Sequence, residues 1–370
     1  MYLHIPPNAN SNKAMPIVVV LHGCMQCAGT VATQTGWNKL ADEYGFYVLY
    51  PEQRIINNPM KCFKWYKRKH IKKNRGENYS IKKMIDYMKA NYAIDSSEVY
   101  ITGLSAGAAM SVIMMVDYPR TFNSGAIFAG APYKAGKGLI TASMAMFGWR
   151  MKSPQEWGNV VRKSNPGYTG GYPNMIIYQG NNDWIVSKRN GVELMEQWTN
   201  LHNISIQPSE TVTQFLNNKD IERNVYRDSI NKDVVIFYKV NRLSHALLVN
   251  PGSCKTEGGI IGFFAKDKDF HSTLWTAYDF GLITTPVISG KTVVEKGERN
   301  ISYRVPYTDK STYEWTFPNA CVVIKNDNSN IITLDWGNFS GSINVTETNS
   351  LFCKKQYKTL FVNVIDGNKE

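Results

Sequence analysis

The chain has no apolar run approaching the ~20 residues that a membrane-spanning helix requires, which excludes an integral membrane protein built from helices. Its first residues, Met1 to Pro6, contain neither a basic start nor an apolar stretch of signal-peptide length. A chain that begins this way stays in the cytoplasm unless a leader has been removed. Strand-like sequence begins almost at Met1, so a trimmed leader is the expectation. There is no internal repeat and no low-complexity tract, and hydrophobic residues make up 43%, which excludes collagen-like repeats and wholesale disorder. Acidic residues are outnumbered, 30 against 42 Lys and Arg, for a net charge of +12. That balance favours acidic surfaces or polyanions as neighbours without naming one. Histidine is scarce, at six, and so is cysteine, also six. An even number of cysteines permits disulfides and an oxidising compartment. With 370 residues, room for about two domains, the chain does not need them to fold.

What is present is alternation. Ile17 to Leu21 is a β-branched run suited to a buried parallel strand. Helix-like and strand-like stretches then come in turn: Trp37–Tyr44, Phe46–Tyr50, Ile81–Tyr92, Val99–Thr102, Ala106–Val116, Ala126–Phe128, Met175–Tyr178 and Gly191–Leu201. Strands alternating with helices imply a parallel sheet of α/β class. The more polar stretch 207–235 leads into two strand-like runs, Asn224–Arg227 and Val234–Val240, with Asn231-Lys232-Asp233 placed to turn a hairpin. Ser272–Phe280 reads as a last helix. After Gly281 helical periodicity stops. Seven short strand-like runs between Thr292 and Val364 suggest an immunoglobulin-like β-sandwich, with Thr284-Thr285-Pro286 as the joint. The expected domains are therefore 1–283 and 284–370.

The strongest chemical signal is Gly103-Leu104-Ser105-Ala106-Gly107, which comes after a strand and precedes a helix of small residues. In that context Gly-x-Ser-x-Gly is a nucleophile elbow: a sharp turn exposes the serine Oγ, and the glycines let the helix pass the strand. The alternative is a glycine-rich helix start with a packing serine. A serine needs a base to take its proton, and in this class the chain order is serine, acid, histidine. Of the downstream histidines, His245 lies directly after a predicted strand, where catalytic groups gather in open α/β sheets. His202 ends a helix and His271 sits near a helix cap, so both have simpler roles. Asp183, just past the strand Met175–Tyr178, is the candidate acid that orients the imidazole; a turn or N-cap aspartate is the alternative. An oxyanion hole needs two N–H donors. The residue after the nucleophile, Ala106, supplies one, and Cys24 of the His22-Gly23-Cys24 loop is chosen for the other. His22 is then a loop brace and not the base.

Further motifs accompany these: Pro16 through Cys24 with Gln26, Tyr50-Pro51-Glu52-Gln53, Asn58-Pro59 with Cys62-Phe63-Lys64-Trp65, Arg75-Gly76-Glu77, Gly103 through Met110, Gly180 with Asp183 and Val186, and His245-Ala246 with Pro251-Gly252. With this set, spread over residues 1–283, the chain resembles the secreted esterases related to polyhydroxybutyrate depolymerases. The resemblance implies an α/β-hydrolase sheet with helices on both faces. It also implies a Ser105, Asp183, His245 triad, an oxyanion hole from the Ala106 and Cys24 amides, and a Cys24–Cys62 disulfide. Family members include polyester depolymerases, feruloyl esterases and acetylxylan esterases. Two departures bear on substrate preference: Ser244 stands where the family often has glycine, and Asn181-Asn182 where it often has a Gly-Thr or similar pair. Trp184 and Trp65 are candidates to line the substrate cleft, with core packing as the alternative for each. The tail resembles PKD-like modules through Pro286 to Gly290, Tyr313 to Asn319, Ile331 to Leu334, and Val345-Thr346 before Asn349-Ser350. Such modules act as spacers or polymer-binding appendages, and Trp315 reads as a core residue of this one.

Residues 61–75 mix Lys and Arg with Phe63, Trp65 and Tyr66. Such mixing can mark single-stranded nucleic acid binding; a solvated loop is the preferred reading, because hydrolase motifs flank the run on both sides. Cys321 and Cys353 are placed to staple the sandwich, leaving Cys27 and Cys254. A zinc site at Cys24-x-x-Cys27 lacks a second ligand pair at the usual spacing, so no metal is expected. The reading is a secreted serine esterase, polyester-depolymerase-like or alternatively a feruloyl or acetylxylan esterase. It needs no cofactor and no nucleic acid, and acts on a polymeric ester outside the cell or in the periplasm. A polymer-binding protein with a degenerate hydrolase domain and a serine peptidase of the same fold are the rivals.

Overall fold

The computed structural model of the chain describes residues 1–10, 12–326 and 328–366. They form two compact units. The first comprises 1–211, 220–251 and 258–283; the second takes 284 onward together with the short segments 212–219 and 252–257.

The first unit opens with β1 (Tyr2–His4), β2 (Met15–Leu21), α1 (Ala28–Thr35), α2 (Trp37–Tyr44) and β3 (Tyr47–Tyr50). It continues through α3 (Gly76–Asn91), β4 (Ile94–Leu104), α4 (Ala106–Asp117), β5 (Ser124–Phe128), α5 (Leu139–Met146), α6 (Pro154–Arg162), β6 (Asn174–Gly180) and α7 (Arg189–His202). It closes with β7 (Glu210–Val212), β8 (Ile221–Arg227), β9 (Asp233–Val240), the short β10 (Leu247–Val249) and β11 (Ala265–Asp267), and α8 (Ser272–Phe280). Nine strands make one sheet in the order β1-β3-β2-β4-β5-β6-β9-β8-β7. From β3 to β9 every neighbouring pair is parallel; β1 and β8 are antiparallel additions.

Side-chain alternation explains why the strands are apolar on both faces. Ile17, Val19, Leu21, Ile101, Ile127, Ile177 and Phe237 enter one core with residues of α3, α4, α6 and α7. On the other face Tyr100 stacks on Phe280 of α8, which stacks in turn on Trp37 of α2. There Phe128, Tyr178 and Tyr238, aligned by register across β5, β6 and β9, lie nearly parallel at centroid separations of 4.3 and 4.5 Å. Helix α4 is buried along its whole length, as an all-round apolar helix must be. The hairpin expected at Asn231-Lys232-Asp233 joins β8 to β9, with Asn231 at φ 63° and the Asp228 carboxylate accepting from the Ile230 and Lys232 amides. Helices α1, α5 and α6 were not foreseen: α1 and α5 are eight residues each without a clear 3.6-residue stripe, whereas α6 does carry a helix-start signal, a Ser153–Glu156 capping box around Pro154, with Trp157 and Val161 four positions apart on its buried side.

The second unit contains β12 (Val293–Glu295), β13 (Ile301–Arg304), β14 (Thr312–Thr316), β15 (Val322–Lys325), β16 (Ile331–Asp335), β17 (Gly341–Asn349), β18 (Cys353–Gln356) and β19 (Leu360–Ile365). They form a β13-β16-β15 sheet and a β12-β19-β17-β14 sheet with β18 added to β17. Tyr303, Trp315, Leu334, Trp336, Ile343 and Val362 pack between them. Trp315 is a core residue whose Nε1–H donates to the Ser329 carbonyl at 3.0 Å. The expected Cys321–Cys353 staple is replaced by Cys254–Cys353. Cys321 is instead a buried thiol in the core beside the three-stranded sheet, whereas Cys353 opens β18 in the other sheet, next to segment 252–257.

Candidate active site

The turn from β4 to α4 is tight because two glycines allow it. A Cβ on Gly107 would lie 2.3 Å from the Leu21 carbonyl oxygen and 2.5 Å from that of His22. A Cβ on Gly103 would lie 2.6 Å from the Gly107 carbonyl carbon. The helix therefore passes directly over the end of β2. Ser105 at the corner has φ 57° and ψ −118°, a strained conformation for a residue with a side chain. Its amide donates to the Phe128 carbonyl at 2.9 Å, and its carbonyl accepts from Ala109 at 2.9 Å. Among the described residues its Oγ has no hydrogen-bond partner.

Next to it lies the loop after β2. His22 is 1% exposed, with Nδ1 2.7 Å from the Gly23 carbonyl and Nε2 accepting from the Gln53 amide at 3.0 Å. Both ring nitrogens are committed, and burial holds its pKa below the usual value. His22 is thus a neutral brace. Gln26 Oε1 accepts from the Gly23 amide at 2.8 Å, and Cys24 is bonded to Cys62. Cys24 and Cys27 consequently do not form a half-site for zinc. Among the described residues the Cys24 and Ala106 amides donate to no acceptor in the chain, and Ala106 is the first residue of α4, where free N–H groups are expected. Glu77 secures the neighbouring loop by accepting from the Lys64 amide and Gln53 Nε2.

Asp183 and His245 meet across the ends of β6 and β9. His245 Nδ1 donates to Asp183 Oδ2 at 2.7 Å, with the aspartate side chain fully buried. Asp183 Oδ1 accepts from the Ile185 and Val186 amides at 2.9 and 2.8 Å, so one oxygen fixes its own turn and the other faces the imidazole. The two loops are pinned by Asn182 N–H to Leu243 O and by Asn181 Nδ2 to Asn241 Oδ1 at 2.6 Å. The Asn181-Asn182 pair noted as a family departure thus ties the acid loop to the histidine loop. Phe264 stands edge-on to His245 at 6.0 Å. It was missed because its loop has no periodic pattern. Ser105, Asp183 and His245 stand one, three and five residues past the ends of β4, β6 and β9, parallel members of one sheet, and so lie along the same edge. Ser105 and His245 are not hydrogen-bonded to each other.

The two tryptophans part company. Trp184 is 87% exposed beside a concavity lined by Phe147, Asn181, Asn182 and Lys188. Trp65 is 8% exposed, packed in the core against Tyr66 and Gly136, which favours the packing alternative for it. Among the described residues, one cluster of metal-type ligands occurs, Cys254, Glu257 and Cys353, two of which form the disulfide. No helix is long and apolar enough to cross a membrane among the described residues.

Comparisons with known proteins agree with this frame. The esterase PHB depolymerase family matches residues 1–209, and the PKD-like domain matches 282–363. Poly(3-hydroxyalkanoate) depolymerase C of Paucimonas lemoignei is 37% identical over 285 residues, 76% of this chain and 67% of that protein. An acetylxylan esterase of Coprinopsis cinerea is 33% identical over 224 residues, covering 57% of each. A feruloyl esterase B of Neurospora crassa is 33% identical over 228 residues, 58% of this chain and 76% of that one. The chain thus spans between 57% and 76% of the length of these relatives. The solved acetyl xylan esterase from Aspergillus awamori shares the fold, with a TM-score of 0.60 at 24% identity over 66% of this chain and 88% of that chain.

Proposed function

The chain belongs to the esterase PHB depolymerase family of carboxylic-ester hydrolases, and from that premise we propose that it is an extracellular or periplasmic polyester depolymerase in which Ser105 is the nucleophile, His245 the base and Asp183 the orienting acid. His245 Nε2 takes the Ser105 proton as Oγ attacks the ester carbonyl. The negative oxygen of the tetrahedral intermediate sits between the Ala106 and Cys24 amides, each donor contributing on the order of 3 kcal/mol to the transition state. His245 then returns the proton to the departing alcohol, leaving an acyl-serine. Water, deprotonated by His245, releases the acid and restores Ser105. Asp183 accepts from Nδ1–H throughout, holding the tautomer that leaves Nε2 free and stabilising the imidazolium.

The observation that carries this reading is the 2.7 Å Asp183–His245 bond on the edge where the strained Ser105 elbow stands. An oxidising compartment is supported by the two disulfides. The polyester assignment rests on the relative with the longest matched segment among those cited, a poly(3-hydroxyalkanoate) depolymerase. Trp184, open beside the acid loop, is assigned to the substrate cleft.

The test is hydrolysis by the wild type and Ser105→Ala of p-nitrophenyl acetate and butyrate, methyl ferulate, acetylated xylan and a polyhydroxybutyrate suspension. Ser105-dependent clearing of the suspension is expected. Release of ferulate or acetate without clearing moves the enzyme towards the activities that the names of two relatives carry, feruloyl esterase and acetylxylan esterase. Undiminished hydrolysis by Ser105→Ala overturns the nucleophile, and silence across the panel favours a binding protein.

A further inference from the structure

Residues 61–83 carry ten Lys and Arg against one Glu, a net +9 within a chain whose total is +12. The single acid, Glu77, is turned inward onto the Lys64 amide and Gln53. Six cations on the segment, Lys67, Arg68, Lys69, Lys72, Lys73 and Arg75, are exposed. Among the described residues none of the six is paired with a carboxylate. Their field is felt locally: burial and the charges of Lys64, Lys69 and Lys67 push the His70 pKa down to about 4.

The segment is held in place rather than loose. It starts at the Cys24–Cys62 bond, beside the Cys24 amide. His70 Nδ1 accepts from the Glu77 amide at 3.0 Å. At its far end the Asn74 amide donates to Tyr118 Oη at 2.9 Å, and Asn78 Nδ2 donates to the Lys72 carbonyl and to Asp117 at the end of α4. The cations therefore sit on a segment that begins at the Cys24–Cys62 bond and is anchored at its far end to Asp117 and Tyr118, at the C-terminal end of α4, a helix about 18 Å long at 1.5 Å per residue. Of the aromatic residues interleaved in the run, Phe63 and Trp65 are buried, and Tyr66 is half-buried with its ring edge-on to Trp65; the aliphatic Ile71 is buried as well. Between Lys67 and Arg75 no exposed aromatic ring offers the stacking platform that single-stranded nucleic acids use, and no exposed apolar side chain lies there to enter a lipid surface.

We propose that this flank is a docking surface for carboxylates that accumulate on the polymer being cut. This rests on the polyester reading above. Each turnover adds water across one ester bond and yields an alcohol and a carboxylic acid, which at neutral pH loses its proton because its pKa lies near that of a glutamate. An insoluble polyester therefore becomes anionic wherever it has been hydrolysed. An enzyme with unpaired cations leading away from its active site is drawn to the part of the surface already opened, and its neighbouring esters come within reach.

The test reads adsorption, not turnover. The full chain carrying Ser105→Ala is applied to amorphous polyhydroxybutyrate films, either untreated or briefly treated with alkali to expose carboxylate ends. The expected result is tighter adsorption to the treated film by about tenfold or more in dilute buffer. That preference disappears at about 1 M salt, where the screening length falls to roughly 3 Å. It also disappears on adding Lys67→Glu, Arg68→Glu and Lys69→Glu, with a thermal melt to show that the variant is folded. Should that variant not fold, Lys72→Glu, Lys73→Glu and Arg75→Glu replace it. Equal adsorption to both films, or a preference that survives charge reversal, overturns the proposal. So does binding to soluble polygalacturonate where neither film is bound, which assigns the flank to an acidic polysaccharide. Because no hydrolysis is needed, failure here is distinct from failure of the wild type to clear polyester.

Discussion

Replacing Asp117 by Asn should make the stability of this protein less dependent on pH, with a sign opposite to that of most aspartates. Asp117 is 2% exposed and is the last residue of α4, where the helix dipole disfavours a negative charge. Tyr133 Oη donates to its Oδ1 at 3.0 Å and Asn78 Nδ2 donates to Oδ2, but burial dominates and pushes its pKa from 3.8 up to about 6. The folded state therefore binds more protons than the unfolded state between those values, and stability falls as pH rises through that window. A carboxyl that titrates at about 6 in the folded chain and at 3.8 in the unfolded one costs on the order of 3 kcal/mol at pH 7, and below about pH 4 that penalty vanishes. Asparagine fits the same space: one position still accepts from Asn78, and its amide donates to the Tyr133 hydroxyl, which can accept. Urea unfolding of wild type and Asp117→Asn from about pH 4 to pH 7.5 checks this. The variant should gain on the wild type by roughly 2–3 kcal/mol across that range. A stability difference that does not change with pH would refute the reasoning.

Three more outcomes rest on named contacts. Asp183→Asn keeps the turn bonds to Ile185 and Val186 but lets the imidazole adopt the wrong tautomer, so kcat for a soluble ester should drop about 10⁴-fold with the melting temperature little changed; a loss under tenfold contradicts the role given to Asp183. Gly107→Ala places a Cβ 2.3 Å from the Leu21 carbonyl oxygen, which forces the His22 loop and α4 apart by about 1 Å; a stability loss of about 1–3 kcal/mol and a fall in kcat of roughly 100-fold are expected, measured by melting and ester hydrolysis. Cys62→Ser opens a loop of 38 residues and should lower stability by up to about 4 kcal/mol; a wild type whose unfolding is indifferent to reductant would contradict this.

Much of the first unit was readable because its signals are local. A β-branched run such as Val18-Val19-Val20 has few uses other than a strand buried on both faces. Gly-x-Ser-x-Gly between a strand and a small-residue helix constrains the backbone within five residues, and the close approach of Gly107 to β2 is the physical content of that pattern. The order of strands, each parallel to its neighbour, then puts the turns that leave β4, β6 and β9 on one edge, so positions after strands pointed to Asp183 and His245 before any contact was known.

The residues alone therefore determined the α/β frame, the β-rich tail, the tight turn at Ser105 and the strand ends after which Asp183 and His245 stand, since each depends on periodicity or on bonds spanning a few residues. What only the tertiary structure decided depends on which distant segments meet. Cys353 finds Cys254 and not Cys321, because segment 252–257 belongs to the second unit while Cys321 faces that unit's own core. Trp65 is buried and Trp184 exposed, although both stand beside polar neighbours in sequence. Asn181 reaches Asn241 across sixty positions to join the acid loop to the histidine loop. The run 61–75 mixes cations and aromatics in one dimension, and folding separates them, rings inward and charges outward, because burying an apolar ring is favourable and burying an unpaired charge is not.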